Sequence, residues 1–516
     1  MNVFLYGPSG TGKSTVGKIL AHKLSLPWFD LHREIEKEAG QSVETIFSVQ
    51  NESVVRDLET SGLKKIIDEV PASVVSLGGG ALLREQNRQM AEDSGRVVML
   101  SGSINTLLER LTADEYVRPL VKSDPRARLT ELLSRRREHY ASFVNPLETD
   151  DFTPDEVADL IQIRLGAFHV SGMGQPYDVL IQAGSLDRLG AEVKLRGFHG
   201  PAALVSDANV APLYAERVLA SLNSAGIEAS SIVIPAGEQH KTIETVSRIW
   251  EGLLKIGVER GSMVVALGGG VTGDLTGFAA ATYLRGVPWI NVPTTLLSMV
   301  DSGLGGKTGA DLPQGKNLIG ASHAPSLVFT DPAVLSTLPP AELRSGLAET
   351  LKHGVIADPE LYRLCAVGWP QEIEAVTSII SRAVAVKVDV IQTDPYEKGP
   401  RQALNFGHTA GHGVEKASDY RLSHGECIAI GMVVETRLAE AIGLAPSGLA
   451  DEIAKTLSAL GLPTETPKNL DKQAILEAML LDKKRSKKQV HFALPEKIGS
   501  VKTGVVIENW QQLIRL

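Results

Sequence analysis

The sequence predicts a soluble α/β protein made of more than one compact unit. With 516 residues, the chain is long enough for about three domains of ordinary size. Short apolar runs alternate with amphipathic helical stretches over most of its length, a pattern typical of parallel sheets with crossover helices. Glycine is frequent, at 49 residues, and aromatic residues make up only 5%. That bias favours folds in which strand-to-helix turns approach ligands closely.

Charge and cysteine content limit the partners and the compartment that we expect. A net charge of −9 gives no basic footprint for nucleic acid or an anionic membrane, although a small basic pocket remains compatible with it. Cys365 and Cys427 are the only cysteines, which is too few for a disulfide framework and typical of a reducing cytoplasm. No apolar run approaches 18 residues, and residues 3–6 are too few for a signal sequence. We therefore expect a cytoplasmic protein that binds neither nucleic acid nor membrane.

Residues 1–165 are expected to form the first unit, a parallel sheet with crossover helices. Its predicted strands and helices are, in chain order, 3–6, 13–24, 73–77, 87–94 and 97–100. Thr153 precedes a proline and two acidic residues, which predicts a helix that runs to about Leu165. Residues 166–176 carry three glycines and a proline without any periodic pattern, so they are predicted to be a linker.

Residues 177–338 predict a second α/β unit, and residues 339–516 predict a third unit that is all helical. The predicted strands of the second unit are 177–182, 202–206, 231–235, 263–267 and 289–292. The predicted helices of the third unit are 340–356, 372–394, 408–417, 426–442 and 447–460. Residues 74–80 and 264–270 nearly match, but their flanks differ. This similarity therefore indicates two uses of one strand-to-glycine turn and not a duplicated domain.

A phosphate-binding loop is predicted near the N-terminus. Residues 7–14 read Gly-Pro-Ser-Gly-Thr-Gly-Lys-Ser and fit the pattern G-x-x-x-x-G-K-S/T between a predicted strand and a predicted helix. Backbone amides of the loop, the Lys13 ammonium and the Ser14 hydroxyl would then hold nucleotide phosphates and Mg²⁺. Arg56, Arg118 and an arginine of the run 135–137 could contact a ligand, although a single arginine is more often a surface residue.

A second ligand site is predicted at the strand ends of the middle unit. Residues 268–274 read Gly-Gly-Gly-Val-Thr-Gly-Asp after a buried strand, so their backbone amides could hold a pyrophosphate. The spacing is not G-x-G-x-x-G, and a glycine cluster alone is weak evidence. Small, hydroxyl and charged residues at 237–241, 293–295 and 301–307 support the site, because ligands of open α/β sheets bind at strand ends.

Histidines and carboxylates in the third unit indicate a metal site. His408 and His412 are one helical turn apart, and His424 follows twelve residues later. Spacing alone favours His408 and His412 as a metal pair, with Glu349 or Glu426 as the third ligand. The alternative is that these are buried core histidines beside ordinary helix charges.

The first 165 residues resemble shikimate kinases, which implies a nucleoside-monophosphate-kinase-like P-loop fold. The resemblance rests on the phosphate loop, Asp30, Arg56, the glycine triplet 78–80, the lid sequence at 117–120, and Arg136 four residues before Tyr140. It implies that Mg-ATP is bound by Gly10, Gly12, Lys13, Ser14, Thr15, Asp30 and Arg118. It implies that shikimate is bound by His32, Arg56, Gly79, Gly80 and Arg136, with Lys13 and Arg118 acting in catalysis.

Position 32 departs from the pattern of that family. The family reads Asp-x-Asp, whereas this chain reads Asp30-Leu31-His32, so the carboxylate that serves as the family's base is replaced. A neutral imidazole could accept the hydroxyl proton, but it does not supply the same charge beside Mg²⁺. Two hypotheses stay open: an active kinase, and a catalytically impaired domain that binds nucleotide and acts as a scaffold. Formation of ADP from Mg-ATP and shikimate distinguishes them.

From residue 177 onward the sequence closely resembles 3-dehydroquinate synthases. The shared motifs lie at 207–209, 235–241, 268–274, 293–297, 301–307, 316–320, 405–412, 424–426 and 482–484. The resemblance implies a Rossmann-like NAD-binding domain at 177–338 and a metal- and substrate-binding domain at 339–516. It implies Zn²⁺ or Co²⁺ held by Glu349, His408 and His424, with Lys307, Lys352 and His412 in catalysis, and a homodimer through the C-terminal half.

The same resemblance assigns the remaining ligand contacts. NAD would be bound by Asp207, Asn209, Glu238, Lys241, Gly269, Gly270, Asp274, Thr294 and Thr295. The substrate would be bound by Arg285, Asp301, Lys307, Lys316, Asn317, Lys352, Lys387, Arg401, Asn405 and Lys483.

The implied reaction converts 3-deoxy-D-arabino-heptulosonate 7-phosphate to 3-dehydroquinate and phosphate. Carbon 5 loses a hydride to NAD⁺, phosphate leaves, the hydride returns, and the opened ring closes through an aldol step, so NAD is not consumed. The whole chain would then catalyse two non-consecutive steps on the route to chorismate. Polyol dehydrogenases and other sugar-phosphate cyclases are the alternatives. The predicted phosphate-binding lysines argue against a polyol dehydrogenase. Asn317, Arg401 and His412 together argue against another sugar-phosphate cyclase.

Overall fold

The computed structural model describes residues 1–113, 124–481 and 489–516. These residues form two compact units, Met1–Leu165 and Gly166–Leu516. The predicted second and third units are therefore parts of one compact body. Among the helices described, none has both the length and the apolar character that a membrane span requires.

The first unit contains a five-stranded parallel sheet with strand order β2-β3-β1-β4-β5, as the sequence predicts. The strands are β1 (Asn2–Tyr6), β2 (Trp28–Asp30), β3 (Val74–Ser76), β4 (Gly95–Ser101) and β5 (Leu147–Glu148). The helices are α1 (Lys13–Leu24), α2 (Leu31–Ala39), α3 (Val43–Gln50), α4 (Glu52–Glu69), α5 (Glu85–Ser94), α6 (Ile104–Ala113), α7 (Pro125–Arg135), α8 (Arg137–Ala141) and α9 (Pro154–Leu165). Apolar side chains of β1 and β3 are fully buried. Because the two strands pair in parallel, their carboxyl ends lie at one edge of the sheet.

The loop between β1 and α1 depends on glycine. Gly7, Gly10 and Gly12 all have positive φ angles, of 138°, 89° and 84°, a region that other residues rarely adopt. A Cβ atom on Gly7 would lie 2.1 Å from the carbonyl oxygen of Leu100 in β4. The loop therefore packs directly against the sheet edge, with its backbone amides available at the start of α1.

The second unit contains a seven-stranded sheet with strand order β6-β7-β14-β11-β10-β8-β9. The strands are β6 (Ala167–Val170), β7 (Tyr177–Ile181), β8 (Ala202–Asp207), β9 (Ala229–Ile234), β10 (Met263–Gly268), β11 (Trp289–Pro293) and β14 (Leu327–Thr330). All neighbours pair in parallel except β6, which is antiparallel to β7. A separate antiparallel hairpin, β12 (Lys307–Leu312) and β13 (Gly315–Ser322), follows β11. The helices here are α10 (Leu189–Leu195), α11 (Ala211–Ser224), α12 (Ile243–Ile256) and α13 (Gly270–Thr282).

Residues 166–176 are not simply the linker that the sequence predicts. Ala167–Val170 forms β6, in which Phe168 and Val170 are buried against the core. A strand of four residues is too short to establish a period among so many turn-forming residues, which explains why the pattern gave no sign of it. Gly172 and Gly174, with positive φ angles, then form the turn into β7.

The C-terminal region is helical but not all helical. Its helices are α14 (Pro340–Ile356), α15 (Pro359–Val367), α16 (Ile373–Thr393), α17 (His408–Ala417), α18 (His424–Ala441), α19 (Leu449–Ala459), α20 (Lys472–Leu481) and α21 (Trp510–Leu513). The strands β15 (His491–Lys497) and β16 (Ser500–Val506) form an antiparallel hairpin that corrects the all-helical prediction. Phe492 and Leu494 of β15 are buried, and Gly499 makes the turn with φ 85°. These features favour a hairpin over a helix.

Two candidate active sites

The phosphate loop brings a lysine, a hydroxyl and a carboxylate to the start of α1. The Lys13 ammonium donates hydrogen bonds to the carbonyl oxygens of Gly7 (2.8 Å) and Pro8 (2.7 Å). The Ser14 hydroxyl donates to Oδ2 of Asp30 at 2.6 Å, and Asp30 caps α2. A hydroxyl beside a carboxylate supplies the hard oxygen donors that Mg²⁺ prefers. The loop and Asp30 therefore fit a Mg-nucleotide. The other predicted nucleotide residues, Gly10, Gly12 and Thr15, belong to this loop and the start of α1.

Two predicted anion-binding arginines, Arg56 and Arg136, contact the glycine turn that follows β3. The carbonyl oxygen of Gly79 accepts hydrogen bonds from Nη1 of Arg136 (2.9 Å) and from the Tyr140 hydroxyl (2.7 Å). A Cβ atom on Gly80 would lie 2.2 Å from Nη2 of Arg56. Two guanidinium groups thus contact one turn, an arrangement suited to a carboxylate ligand.

His32, the second residue of α2, lies against the same glycine turn, and the buried carboxylate of Glu59 lies behind it. A Cβ atom on Gly78 would lie 2.2 Å from Nε2 of His32, so only glycine leaves room for the imidazole. Nε2 is 3.1 Å from Oε1 of Glu59, and Oε2 of Glu59 accepts from Nη1 of Arg56 at 2.6 Å. Burial raises the pKa of Glu59, but hydrogen bonds from His32 and Arg56 outweigh burial and hold that pKa below its usual value.

Glu59 is a site residue that the sequence reasoning missed. It lies three residues after Arg56 on α4, a spacing at which helical side chains meet. That spacing was the available signal. Arg118, with the predicted lid at 117–120, lies outside the described residues.

Three elements of the second unit bring one carboxylate and two imidazoles together. Glu349 lies in α14, and His408 and His424 are the first residues of α17 and α18. Oε1 of Glu349 is 3.2 Å from Nε2 of His424 and 3.5 Å from Nε2 of His408. One ligand atom from each residue lies within 4.8 Å of the others. One carboxylate and two imidazoles are a donor set typical of a catalytic zinc site.

The protonation of Glu349 and His408 fits a metal. Burial lowers the pKa of His408 to about 3, so its imidazole is neutral, which is the form that binds metal ions. Burial raises the pKa of Glu349, but the Lys352 ammonium and the two histidines outweigh it, and the net pKa lies well below normal. Lys352 is itself buried and forms an ion pair with Oε2 of Glu349. Burial lowers the pKa of His424, but Glu349 and Glu415 outweigh burial and raise that pKa to about 9, so a metal ion would have to displace a proton from His424.

The geometry separates the alternatives that spacing left open. Glu426 accepts two hydrogen bonds from Ser423, each of 2.8 Å, in a capping box at the start of α18, so it is occupied as a cap. The His412 ring centroid is 5.2 Å from that of His408 and 6.1 Å from that of His424. His412 thus lies beside the cluster, where it also forms a second group of potential ligands with Glu415 and His424.

Backbone contact fixes α17 against α18. A Cβ atom on Gly431 would lie 1.9 Å from the carbonyl oxygen of Gly407, so the two helices meet without side chains between them. The buried carboxylate of Glu435 in α18 accepts from the amides of Gly407 and Ala410, each at 2.8 Å. It therefore caps α17 from the neighbouring helix, which sets His408 relative to His424.

Several predicted substrate residues are paired with carboxylates. Lys387 forms an ion pair with the Asp301 side chain and donates to the Asp301 carbonyl oxygen at 2.9 Å. Lys307 pairs with Oε2 of Glu397 at 2.7 Å, and Asn405 donates to Oε1 of the same carboxylate at 2.9 Å. Glu397, which the sequence reasoning missed, thus joins two predicted substrate residues.

Two further predicted residues are held from other elements. Nη1 of Arg401 donates to the carbonyl oxygen of Pro395 at 2.6 Å. Lys316 pairs with Glu415 at 3.0 Å and lies 3.8 Å from Glu238. Glu415 was also missed, although it is three residues from His412 on one helix face.

The predicted NAD residues lie at or beyond the carboxyl ends of β8, β9, β10 and β11. Gly269 precedes α13, and a Cβ atom there would lie 3.0 Å from Cγ2 of Thr295. The amide of Thr294 donates to the Gly268 carbonyl oxygen at 2.9 Å. Asp207 accepts from the amide of Asn209 at 2.9 Å. This glycine turn at a helix start fits a pyrophosphate, because the helix amides are free to donate.

Lys241 connects these residues to the predicted substrate residues. It pairs with Asp274 at 2.7 Å and donates to Oδ1 of Asn317 at 2.5 Å. Burial raises the pKa of Asp274 to about 6 although Lys241 lowers it. The NAD and substrate residues thus form one continuous polar cluster.

Two predicted residues are not brought into this cluster. Arg285 is exposed in the turn after α13, at the far end of that helix from Gly270, roughly 18 Å away at 1.5 Å per residue. Lys483 lies outside the described residues. The roles of Arg285 and Lys483 in substrate binding therefore stay predictions.

His353 is a buried residue that no sequence argument singled out. It is fully buried, and neither ring nitrogen has a hydrogen-bond partner among the described residues. One of its nitrogens groups with carboxylate oxygens of Asp301 and Glu349 within 4.8 Å. Burial lowers its pKa to about 3, so the imidazole is neutral. Its position directly after Lys352 was the only sequence signal.

Comparison with known proteins matches each unit to a family. The family model for shikimate kinase matches residues 9–165, and the N- and C-terminal models for 3-dehydroquinate synthase match residues 231–345 and 346–485. The 3-dehydroquinate synthase of Symbiobacterium thermophilum is 44% identical over 334 residues, which cover 63% of this chain and 92% of that protein. The enzyme of the same name from Nostoc punctiforme is 44% identical over 335 residues, covering 63% and 92%.

Among solved structures, the second unit is similar to ValA, a 2-epi-5-epi-valiolone synthase from Streptomyces hygroscopicus subsp. jinggangensis. That structure, with NAD⁺ and Zn²⁺ bound, is 32% identical with a TM-score of 0.60, covering 67% of this chain and 96% of its own. A 2-deoxy-scyllo-inosose synthase with carbaglucose-6-phosphate, NAD⁺ and Co²⁺ is 25% identical with a TM-score of 0.59, covering 67% and 94%.

Proposed function

The chain belongs to the 3-dehydroquinate synthase family and also carries a shikimate kinase domain, and we propose how its residues divide the two reactions. It is a bifunctional enzyme of the shikimate pathway. The second unit converts 3-deoxy-D-arabino-heptulosonate 7-phosphate to 3-dehydroquinate and phosphate, and the first unit transfers phosphate from ATP to shikimate. The convergence of Glu349, His408 and His424 from three helices carries the assignment of the synthase centre.

The metal and the dinucleotide have separate binding residues. Glu349, His408 and His424 would hold a Zn²⁺ or Co²⁺ ion. NAD would be held at the sheet edge by the nine residues Asp207, Asn209, Glu238, Lys241, Gly269, Gly270, Asp274, Thr294 and Thr295. When bound, NAD⁺ accepts and returns a hydride at carbon 5 while the divalent ion polarises the oxygen on that carbon. Lys352, paired with Glu349, keeps that carboxylate ionised and oriented.

The basic residues around the cluster suit a substrate with both a carboxylate and a phosphate. Without substrate, Lys307 contacts Glu397, Lys387 contacts Asp301, and Arg401 contacts the Pro395 carbonyl oxygen. These partners hold the cations in place, so little side-chain entropy remains to be lost when the substrate binds. His412, beside the cluster and not in it, would move protons to and from the substrate.

In the kinase unit the phosphates and the acceptor have separate residues. Lys13, Ser14 and Asp30 would bind the phosphates and Mg²⁺, and Arg118 is proposed to bind ATP as well. Arg56 and Arg136, which contact the glycine turn 78–80, would bind the shikimate carboxylate in bidentate fashion.

We further propose a homodimer through the C-terminal half and a cytoplasmic location. Arg285 supports the dimer, because it is a predicted substrate residue that is exposed at the end of α13 opposite Gly270, where it would be accessible to a second copy. Two free, buried cysteines support a reducing compartment.

A chelation experiment tests the synthase assignment. We expect the purified chain to release phosphate from the heptulosonate phosphate without accumulating NADH, to lose that activity with a strong chelator, and to regain it with Zn²⁺ or Co²⁺. Glu349→Gln should prevent recovery because one anionic ligand is gone. Stoichiometric NADH without phosphate release would instead support a polyol dehydrogenase. For the first unit, nucleotide binding without ADP formation would support the impaired domain that His32 suggests.

A further inference from the structure

His32 lies between the two parts of the kinase site. Asp30, two residues earlier, accepts from Ser14 of the phosphate loop and from the backbone amide of His32. On its other side His32 contacts the glycine turn that Arg56 and Arg136 also contact. An acceptor held by these arginines, with a hydroxyl directed at the phosphate loop, would pass beside the imidazole.

The surroundings of His32 are those of an oriented base. Its side chain is 40% exposed, whereas Glu59 behind it is completely buried. Nε2 contacts Glu59 at 3.1 Å. Nδ1 makes no hydrogen bond with the described residues of the first unit. Since Glu59 is ionised, it favours the tautomer that carries its proton on Nε2, which leaves the Nδ1 lone pair as the basic site.

Glu59 is fixed independently of His32. Its second oxygen accepts from Arg56 at 2.6 Å, and Arg56 also donates to Glu52 at 2.8 Å. The orienting carboxylate is therefore locked by a neighbouring ion pair, and the base is locked by the carboxylate. This order of an exposed base supported by a buried, fixed acid matches the base and orienting group of catalytic triads.

From this geometry we infer that His32 and Glu59 form a histidine–carboxylate dyad in which His32 is the general base of the kinase, in place of a carboxylate base. The inference rests on the proposed kinase function. As the acceptor hydroxyl oxygen forms its bond to the γ-phosphorus, the bond from that phosphorus to the β–γ bridging oxygen breaks. The hydroxyl proton passes to Nδ1 of His32, and ADP leaves with the bonding electrons. The imidazolium then returns the proton to water.

Among the residues that the structure describes, three charged groups lie beside His32. Glu59 contacts it from α4, with Arg56 bound to the opposite oxygen, and Asp30 precedes it on its own segment. The turn 78–80 contributes glycine alone. A base of this type makes kcat/KM fall as the pH drops and the imidazole is protonated.

The test compares kinase kinetics of the full chain with those of His32→Gln, His32→Asp and the control His22→Gln, an exposed histidine on α1. We expect His32→Gln to lower kcat by about 100-fold or more, to leave the KM for shikimate within a few-fold, and to remove the acid limb of the pH profile. His32→Asp should retain activity and move that limb to lower pH. His22→Gln should match the wild type.

The possible failures are distinct. An active wild type whose kcat and pH profile are unchanged in His32→Gln would overturn the dyad and leave the kinase assignment intact. An inactive His32→Asp, or an active one with the wild-type acid limb, would also overturn the dyad. Absence of ADP formation by the wild type with shikimate and Mg-ATP would overturn both proposals. Mg-ATP binding to the first unit, measured on the same samples, reports whether that unit is folded in each variant.

Discussion

Individual carboxylates in this protein act by holding other functional groups in place. Glu59 holds His32 and Arg56, Glu397 holds Lys307 and Asn405, and Glu349 pairs with Lys352 inside the helical region. Each is at least two-thirds buried, where an unpaired charge would be costly. The pairs therefore explain how so many lysines and arginines stay ordered around ligand sites.

Glu415 provides a test of this role at the metal centre. Its Oε2 lies 3.7 Å from Nδ1 of His424, the nitrogen turned away from Glu349, and its Oε1 accepts from Lys316. A carboxylate at the second nitrogen orients a metal-binding histidine. We expect Glu415→Gln to weaken Zn²⁺ affinity by about 10-fold or more, measured by chelator competition. The exposed Glu374→Gln on α16 is the matched control. Unchanged affinity would show that Glu415 acts only on Lys316.

At the scale of elements, the crossing of α17 and α18 determines the metal site. His408 and His424 each begin one of these helices, and the contact of Gly431 with Gly407 sets the distance between the helix axes. Because interiors are close-packed, one added methyl group at such a crossing must displace backbone. The imidazoles then move with their helices.

Gly431→Ala should therefore disturb the metal site from a distance. We expect a loss of unfolding free energy of about 2–3 kcal/mol, measured by denaturant titration, together with weaker Zn²⁺ binding. The control is Gly261→Ala, since a Cβ atom there has no neighbour closer than 4.0 Å. Wild-type stability and metal affinity in Gly431→Ala would mean that the two helices can separate without moving the histidines.

At the scale of the whole molecule, each unit contains all of the described residues proposed for its own reaction. Lys13→Met removes the ammonium at the nucleotide phosphates, so we expect kinase activity to fall about 100-fold or more with synthase activity unchanged. Glu349→Gln should have the converse effect. Measuring both activities on each variant would reveal any energetic coupling, which would appear as loss of the second activity in either protein.

The two cysteines report on folding of the helical region. Burial raises the pKa of Cys365 and of Cys427 to about 12. A raised pKa favours the protonated thiol, so at pH 8.5 each would contain roughly a thousandfold less reactive thiolate than an unfolded cysteine. We expect neither thiol to react with a disulfide reagent in the native protein at that pH, and both to react in denaturant. Rapid labelling of either thiol under native conditions would indicate local opening of α15 or α18.

Long periodic patterns in the sequence predicted the fold well, and short ones did not. Helices such as α14 and α16 span 17 and 21 residues, enough for several helical turns to establish the period. By contrast, β6 has four residues and β15 and β16 have seven each, and the short apolar runs around them are compatible with loops.

For the site residues too, some roles could be predicted from the sequence and others could not. Residue types and their order identified the metal and phosphate residues through the resemblance, but spacing alone could not choose between Glu349 and Glu426. Ser423 and Glu426 fit the S-x-x-E capping box, so the sequence did contain the reason that Glu426 is a cap. His353 and Glu59 could not be assigned, because their roles depend on burial and on contacts between separate helices.

The short strand β6 also determines where the two enzymes can be separated. It covers the outer edge of β7, its His169 carbonyl oxygen accepts from Gln392 at 2.7 Å, and Met173, just beyond it, accepts from Arg401. A synthase fragment that starts at Tyr177 would lose this cover and leave β7 as a free edge, open to pairing with other chains. Dissection of the fusion therefore has to keep residue 166 and everything after it with the synthase.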